Sequence, residues 1–552
     1  GFSEIRGSYE GLHWCLYEAP KLEKLVLDTI EKDSDIDLEV FPRWLHRIAA
    51  GSLVDPVLLR LLRQLLLFCY KAYVTYDKTS TQTAFEGFLR TNQEVGKFSQ
   101  GMAQASPYLL DLARKHCQSV LFGFREKALK PSHGPGAVTT SKSRWQHLYS
   151  TIEYMYPYSD WFSLYFHRDS AEHYDGMLRQ DIIQAKLIAV PKDSRGPRLI
   201  CVHPAEAIWL QQGLRRELER TITLHRSSPG PWPRGRIWFD DQSVNGRIAL
   251  KSSLTRRYAT LDMKEASDRI SDVLLQILFG RKYKYFGCCR AQEFVIPSSG
   301  GFANIRGMMN SYAPMGNATT FPVQSLVFWS ICVASMQYHG FHQPGAVFVF
   351  GDDIIVPTEC AQTVINDLES FGLLVNRSKS FWQGGFRESC GVDAFNGVDV
   401  TPVRWKTTLD AEHLSGMQSL SDLAMRLRLA GYEEAALTAY AILRQRIEPY
   451  GRQLFTVNNC DHGGIAEYVA SEAQVWRDAY WHRDYQRFVS PVWRIKSLDS
   501  EVKGSDWNHV LESVCSLERT GRSSVPDRSL LRRTRLDRGW IDIANNKAYR
   551  AS

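Results

Sequence analysis

With 552 residues, 44% of them hydrophobic and 23% charged, the chain has the composition of a folded protein long enough for several domains, and it lacks the bias of a disordered or low-complexity chain. Its formal net charge of +7 favours polyanionic partners without defining one over so large a surface. Eleven scattered cysteines with no repeated C-x2-C spacing argue against a zinc scaffold and a disulfide framework, and for free thiols in a reducing compartment.

Residues 20–130 read as helical scaffold, with leucines at helical spacing over 58–67 and a second helical pattern over 108–122. The most apolar stretches, 57–70 and 323–336, are short, and Arg60 and Arg63 interrupt the first, so neither is expected to span a membrane. No signal-peptide pattern opens the chain. His133-Gly134-Pro135-Gly136 reads as a turn or boundary. A strand pair is predicted over 185–191 and 198–203, joined by the polar loop 192–197. Lys186, Lys192, Arg195 and Arg198 put four cations within thirteen residues on or beside this hairpin. Such a group suits a triphosphate and its departing pyrophosphate, although any single member can equally be solvated surface charge.

Between 258 and 404 strands and helices interleave, an α+β pattern around a mixed or antiparallel sheet. A short strand ends at Asp262, and a helix carrying Ile270, Val273, Leu274 and Ile277 follows. Asp268, separated from Asp262 by five residues, is either a helix N-cap shared with Ser267 or a hydrogen-bonding partner for a ribose 2′-hydroxyl. The segment 308–321, containing Gly316, Asn317 and Thr320, is a loop entering the apolar helix 323–336. Its small and amide residues suit close approach to ribose and template, or simply helix entry.

Val347 to Phe350 and Ile354 to Val356 then pair as a hairpin around Gly351-Asp352-Asp353. Gly-Asp turns are common for conformational reasons alone. Two adjacent carboxylates repel, however, and the arrangement is costly unless a divalent cation neutralises it. With Asp262 as a third acid, Asp352 and Asp353 would supply the ligands for two-metal nucleotidyl transfer. Lys379, after a predicted strand over 373–375, is placed to protonate pyrophosphate, or is an ordinary solvated lysine. Beyond 402 the pattern is helical over 420–429 and 433–446. The last forty or so residues read as basic and loop-rich, with seven arginines against two aspartates over 519–538.

These pieces, in this order, resemble the catalytic motifs of a right-handed RNA-dependent RNA polymerase, specifically the replicase catalytic (beta) subunit of single-stranded RNA bacteriophages of the Qbeta type. Residues 261–268 resemble motif A, 315–321 motif B, 351–355 motif C and 191–200 motif F. Gly384-Gly385-Phe386-Arg387-Glu388-Ser389-Cys390-Gly391 and the stretch 397–402 are similar to the segment after motif D, and His133-Gly134-Pro135-Gly136 to an N-terminal motif. The resemblance covers 134–404. Lys264-Glu265 departs from the small residues expected in motif A, and Phe350 stands where tyrosine is common.

The resemblance implies fingers, palm and thumb: an N-terminal region and fingers with the basic hairpin over 1–255, a palm of antiparallel sheet and helices with motifs A to E over 256–405, and a thumb with the basic C-terminal region over 406–552. It implies an RNA-directed RNA polymerase transferring nucleotides from ribonucleoside triphosphates to an RNA 3′-hydroxyl. Asp262, Asp352 and Asp353 would hold two Mg2+ ions, with Mn2+ or Ca2+ able to substitute, and Lys379 would serve as general acid. Asp268, Gly316, Asn317, Thr320, Lys186, Lys192, Arg195 and Arg198 would bind nucleotide. Expected partners are RNA template and product, host elongation factors Tu and Ts and a ribosomal small-subunit protein, in the cytoplasm of a bacterial host. Trp507, Arg532, Arg533, Arg535 and Trp540 would contact RNA or pack the thumb. The rival readings are a mitovirus-like polymerase, a reverse transcriptase, against which Asp268 argues, and a non-catalytic RNA-binding protein.

Overall fold

The computed structural model describes residues 13–71, 78–100, 105–134, 136–139, 154–155, 178–179, 181–193, 196–225, 234–298, 304–341, 346–405, 414–458, 464–469, 479–484, 486–498 and 533–542. The chain forms two compact units. One comprises Lys21–Arg63 and Tyr76–Thr401, and the other Gly1–Pro20, Gln64–Thr75 and Pro402–Ser552.

The longer helices of the N-terminal part are α1 (Ala19–Lys32), α2 (Pro56–Leu67), α3 (Lys78–Gln100) and α4 (Pro107–Leu121). The predicted basic hairpin is β1 (Gln184–Asp193) and β2 (Gly196–Val202), longer on β1 than expected, with a register shift between Val190 and Asp193. Helices α5 (Ala205–Leu224) and α6 (Ser243–Thr255) lead to β3 (Tyr258–Lys264). A single helical turn, α7 (Ala266–Arg269), then precedes α8 (Asp272–Phe279). Ser271 caps α8, its Oγ accepting from the Leu274 amide at 3.0 Å, so Asp268 lies inside α7 rather than at a cap of the longer helix. Strands β4 (Glu293–Ile296) and β5 (Ile305–Met308) complete the sheet of the basic hairpin, in the order β2-β1-β4-β5.

Helix α9 (Thr320–Tyr338) follows, buried from Pro322 to Met336. Its apolar residues show no helical period because every face is enclosed, α4 and α10 (Ala361–Ser370) among its neighbours. Each large side chain sealed there, such as Leu326, Phe328 or Ile331, contributes on the order of 1.5–3 kcal/mol by its removal from water. The hairpin β6 (Phe348–Phe350) and β7 (Asp353–Pro357) lies beside α9, and β8 (Leu374–Val375) follows α10. The central sheet has the order β8-β3-β7-β6, antiparallel throughout. Alternation along β3 sends Ala259, Leu261 and Met263 into the core. A small antiparallel sheet, β9 (Phe386–Ser389), β10 (Val392–Phe395) and β11 (Val398–Asp399), ends this unit.

In the second unit α11 (Leu414–Leu429) packs on α12 (Glu433–Ile447) around Met417, Leu423, Leu427, Tyr440 and Leu443. Strands β12 (Tyr480–His482), β13 (Arg487–Leu498) and β14 (Arg533–Asp542) form an antiparallel sheet. The C-terminal region is therefore not all loop. Its arginines obscure a strand whose Leu536 packs on the core of this unit and whose Arg538 lies over Trp540, 4.6 Å from the ring centroid. Trp507 and Arg532 lie outside the described residues. Among the described residues no helix is long and apolar enough to cross a membrane.

Candidate active site

The site is built by strand register. Asp262, near the end of β3, stands directly opposite Asp353, the first residue of β7. Phe350 pairs with Asp353, so Gly351-Asp352 is a two-residue hairpin turn. Only its first position has positive φ, +65° at Gly351, the glycine position of a type II′ turn. Packing demands glycine as well, because a Cβ at 351 would come within 2.5 Å of Phe321 Cε2 and 3.2 Å of Gln324 Nε2. The Gly351 amide donates to Ser325 Oγ at 3.2 Å, and Phe350 meets Phe321 edge-on with centroids 5.1 Å apart. The acidic turn is thus pressed onto the buried helix α9, and it leaves Asp352 exposed at the tip.

Neighbouring strands hold the other two acids. Asn376 Nδ2 donates to Asp262 Oδ2 at 2.8 Å, its backbone amide donates to the Asp262 carbonyl at 2.8 Å, and Asp262 N donates to Ser380 Oγ at 3.0 Å. Asp353 accepts from Cys390 N at 3.2 Å and Ser389 Oγ at 3.4 Å. Burial, with the fields of Asp352 and Asp262 added, pushes the Asp353 carboxyl up to about 7. Burial likewise raises Asp262, against which Lys379 and Lys192 act to favour its charged form.

Among the described residues no three His, Cys, Asp or Glu side chains close into a cage. The set fits a hard cation of the Mg2+ type, which takes one or two carboxylates and completes its octahedron with water and phosphate. Raised acids carry a definite sign. The folded Asp353 keeps a proton that the unfolded chain has lost, so without metal its contribution to stability falls as pH rises from about 4 through about 7. A cation must displace that proton. Mg2+ at a hundredfold excess over Kd should stabilise the protein by about 2–3 kcal/mol, and by more at pH 8 than at pH 5.5. Thermal unfolding at both pH values checks this; an increment largest in acid would contradict metal binding by these carboxylates.

Of the remaining predicted residues, Lys379 is half-buried just after β8, and Lys192 is exposed on β1; their fields reach Asp262. Lys186 and Arg198 are exposed, and their register partners, Val202 and Val190, place both on one face of the β1–β2 ladder. No described interaction joins them to the acids. Arg195 lies outside the described residues. Asp268 accepts from Ser267 Oγ at 3.2 Å, and burial pushes its carboxyl up to about 6. Burial, with the field of Asp268 added, raises the Cys201 thiol of β2. The Gly316 loop docks on the same residue: Cys201 N donates to the Met315 carbonyl at 2.8 Å, and a Cβ at Gly316, φ +121°, would run into the Cys201 carbonyl oxygen. Cys201 therefore ties the basic hairpin to this loop.

Within the loop, Asn317 Oδ1 accepts from Thr319 N and Oγ1, both at 2.8 Å. Thr320 Oγ1 donates among the carbonyls of Ala313, Pro314 and Asn317. These side chains shape the helix entry, which does not by itself bring them to a ligand.

Sequence reasoning misses the residues that grip the acids: Asn376, Ser380, Ser389 and Cys390. A polar residue ending an apolar strand at Asn376 is the available signal. It also misses Arg387, fully buried, whose Nε donates to the Tyr258 carbonyl at 2.7 Å and Nη1 to those of Gly384 and Phe386 at 2.7 and 2.6 Å. Glu31 of α1 accepts from three successive amides, Trp382, Gln383 and Gly384, at 2.7, 2.7 and 3.0 Å. Together they shape the chain that runs from Lys379 to the Asp353 grip.

In comparison with known proteins, residues 164–425 match the family model for RNA replicase, beta-chain. Over these residues the chain is similar to RNA replicase beta chains, the phage family that its motifs resemble. The RNA-directed RNA polymerase beta chain of Escherichia phage MS2 is 35% identical over 225 residues, 41% of this chain and 38% of that one. That of Enterobacteria phage fr is 34% identical over 220 residues, 39% and 36% of the two chains. The RNA-directed RNA polymerase subunit beta of Escherichia virus Qbeta is 31% identical over 225 residues, 39% and 34% of the two. The matched stretch thus spans little more than a third of these relatives. A solved chain described as an RdRp complex superposes at a TM-score of 0.38 and 12% identity, covering 60% of this chain and 31% of that one.

Proposed function

We propose that this chain is an RNA-directed RNA polymerase that replicates a single-stranded RNA phage genome. The observation that carries the reading is the facing pair Asp262 and Asp353, with Asp352 on the adjoining turn. Two Mg2+ ions held by these acids, with Mn2+ or Ca2+ able to substitute, would activate the RNA 3′-hydroxyl and neutralise the triphosphate. The 3′-oxygen, giving up its proton to water, attacks the α-phosphorus, the bond to the bridging oxygen of the β-phosphate breaks, and pyrophosphate leaves. Lys379 Nζ gives the leaving group its proton. Lys192 and Arg195, with Lys186 and Arg198, bind the triphosphate; Asp268 accepts the ribose 2′-hydroxyl; the loop of Gly316, Asn317 and Thr320 lines the sugar and template.

In this reading 1–255 supplies the N-terminal region and fingers, 256–405 the palm and 406–552 the thumb and basic C-terminal region of a right-handed fold. The partners are RNA template and product and, by analogy with the phage enzymes, elongation factors Tu and Ts and a ribosomal small-subunit protein in the host cytoplasm. Primer extension on an RNA template with ribonucleotides or deoxyribonucleotides tests the assignment. Incorporation of ribonucleotides is expected; a preference for deoxyribonucleotides would favour a reverse transcriptase, and no incorporation a non-catalytic RNA-binding protein.

A further inference from the structure

Lys264-Glu265 is where motif A departs from the family pattern, and Glu265 also stands in the left-handed backbone region, at φ 53° and ψ 40°. A residue other than glycine persists there when its surroundings hold it. Glu265 is held at both ends. Its Oε2 accepts from Thr91 Oγ1 of α3 at 2.9 Å and from Arg269 Nε at 3.0 Å. Arg269, itself buried, reaches on to Glu94 of α3 at 2.8 Å. The main-chain carbonyl of Glu265 accepts from the amides of Asp268 and Arg269, each at 3.0 Å. The turn that carries Asp268 is thus started by Glu265, and Glu265 is fastened to a separate helix.

We propose that Glu265 is a positioning residue for sugar selection: clamped by Thr91 and Arg269, it sets the α7 turn so that Asp268 meets the ribose 2′-hydroxyl, and so governs discrimination between ribo- and 2′-deoxyribonucleotides. The proposal rests on the polymerase reading above. A polar group built to bond a substrate hydroxyl rejects the analogue lacking it, and that rejection depends on placement to within about an ångström. If the turn relaxes, the ribonucleotide loses its bond while the deoxynucleotide, which never made one, loses nothing.

The test is single-nucleotide extension by the full chain, comparing kcat/KM for GTP and dGTP. Glu265→Ala should reduce the ribo-over-deoxy ratio by about 10–100-fold, through the GTP value alone. Thr91→Val, which removes one donor of the clamp from α3 and lies outside the site, should reduce it several-fold with a thermal midpoint near that of the wild type. Glu265→Gln, which keeps an acceptor for Thr91 and Arg269, should restore most of the ratio. Equal losses with GTP and dGTP in both Glu265→Ala and Thr91→Val would overturn the proposal, because a merely structural residue slows both sugars alike. Absence of any incorporation by the wild-type chain would instead overturn the polymerase reading, and the proposal with it.

Discussion

Asp352→Asn is expected to lower nucleotide incorporation by roughly 10³-fold or more while leaving RNA binding close to wild type. The side chain lies exposed on a hairpin turn, and asparagine keeps the turn chemistry, so the substitution removes charge without disturbing the fold. Its field is one cause of the raised carboxyls of Asp353 and Asp262. Without metal, therefore, the variant should unfold at the same temperature as the wild type or slightly higher. The stabilisation conferred by Mg2+ should shrink at the same time. Extension assays, RNA filter binding and thermal unfolding with and without Mg2+ separate these effects. Undiminished incorporation would remove the metal site from the argument, and loss of RNA binding would mean that the turn holds RNA rather than a cation.

The acidic turn is legible in the sequence because its signal is local: glycine between two β-branched runs, followed at once by two carboxylates. Asp262 is legible for a related reason, a strand whose period changes to that of a helix just beyond it. The residues that grip these acids are not, because the contacts are remote. Asn376 reaches Asp262 across 114 positions, and Glu31 reaches Gly384 across 353. No local pattern marks such pairs. Asn317 and Thr320 are legible only as one of two readings, a ligand-facing loop or a helix entry. Their residue types suit a ligand, yet their bonds close within the loop, because a tight helix entry needs the same small polar groups. Among the basic residues the sequence could not separate Lys192, whose field reaches Asp262, from Lys186 and Arg198.

Arg63→Met is expected to destabilise the protein by about 3–5 kcal/mol at neutral pH, although Arg63 touches none of the proposed metal ligands. Its side chain is 2% exposed; Nε donates to Glu23 at 2.8 Å, Nη2 donates to Asp393 at 2.9 Å, and the guanidinium lies over the Phe386 ring. Asp393 of β10 pairs in register with Glu388 of β9, whose carboxyl is held above the usual range by burial first and by Asp393 next. Removing the arginine leaves these acids to share one buried region with its cation gone. Protonation relieves that repulsion, so the loss should be smaller at pH 5.5 than at pH 8. Adding Asp393→Asn to Arg63→Met should recover part of it. Urea midpoints at the two pH values measure both effects, and an unchanged midpoint at pH 8 would show that the buried pairs contribute nothing. The consequence should extend to catalysis, because Ser389 and Cys390, at the end of the same strand as Glu388, hold Asp353. Incorporation at saturating nucleotide should therefore fall even in the fraction of Arg63→Met that remains folded, since the acid facing Asp262 is then aimed by a strand that has lost its buried support.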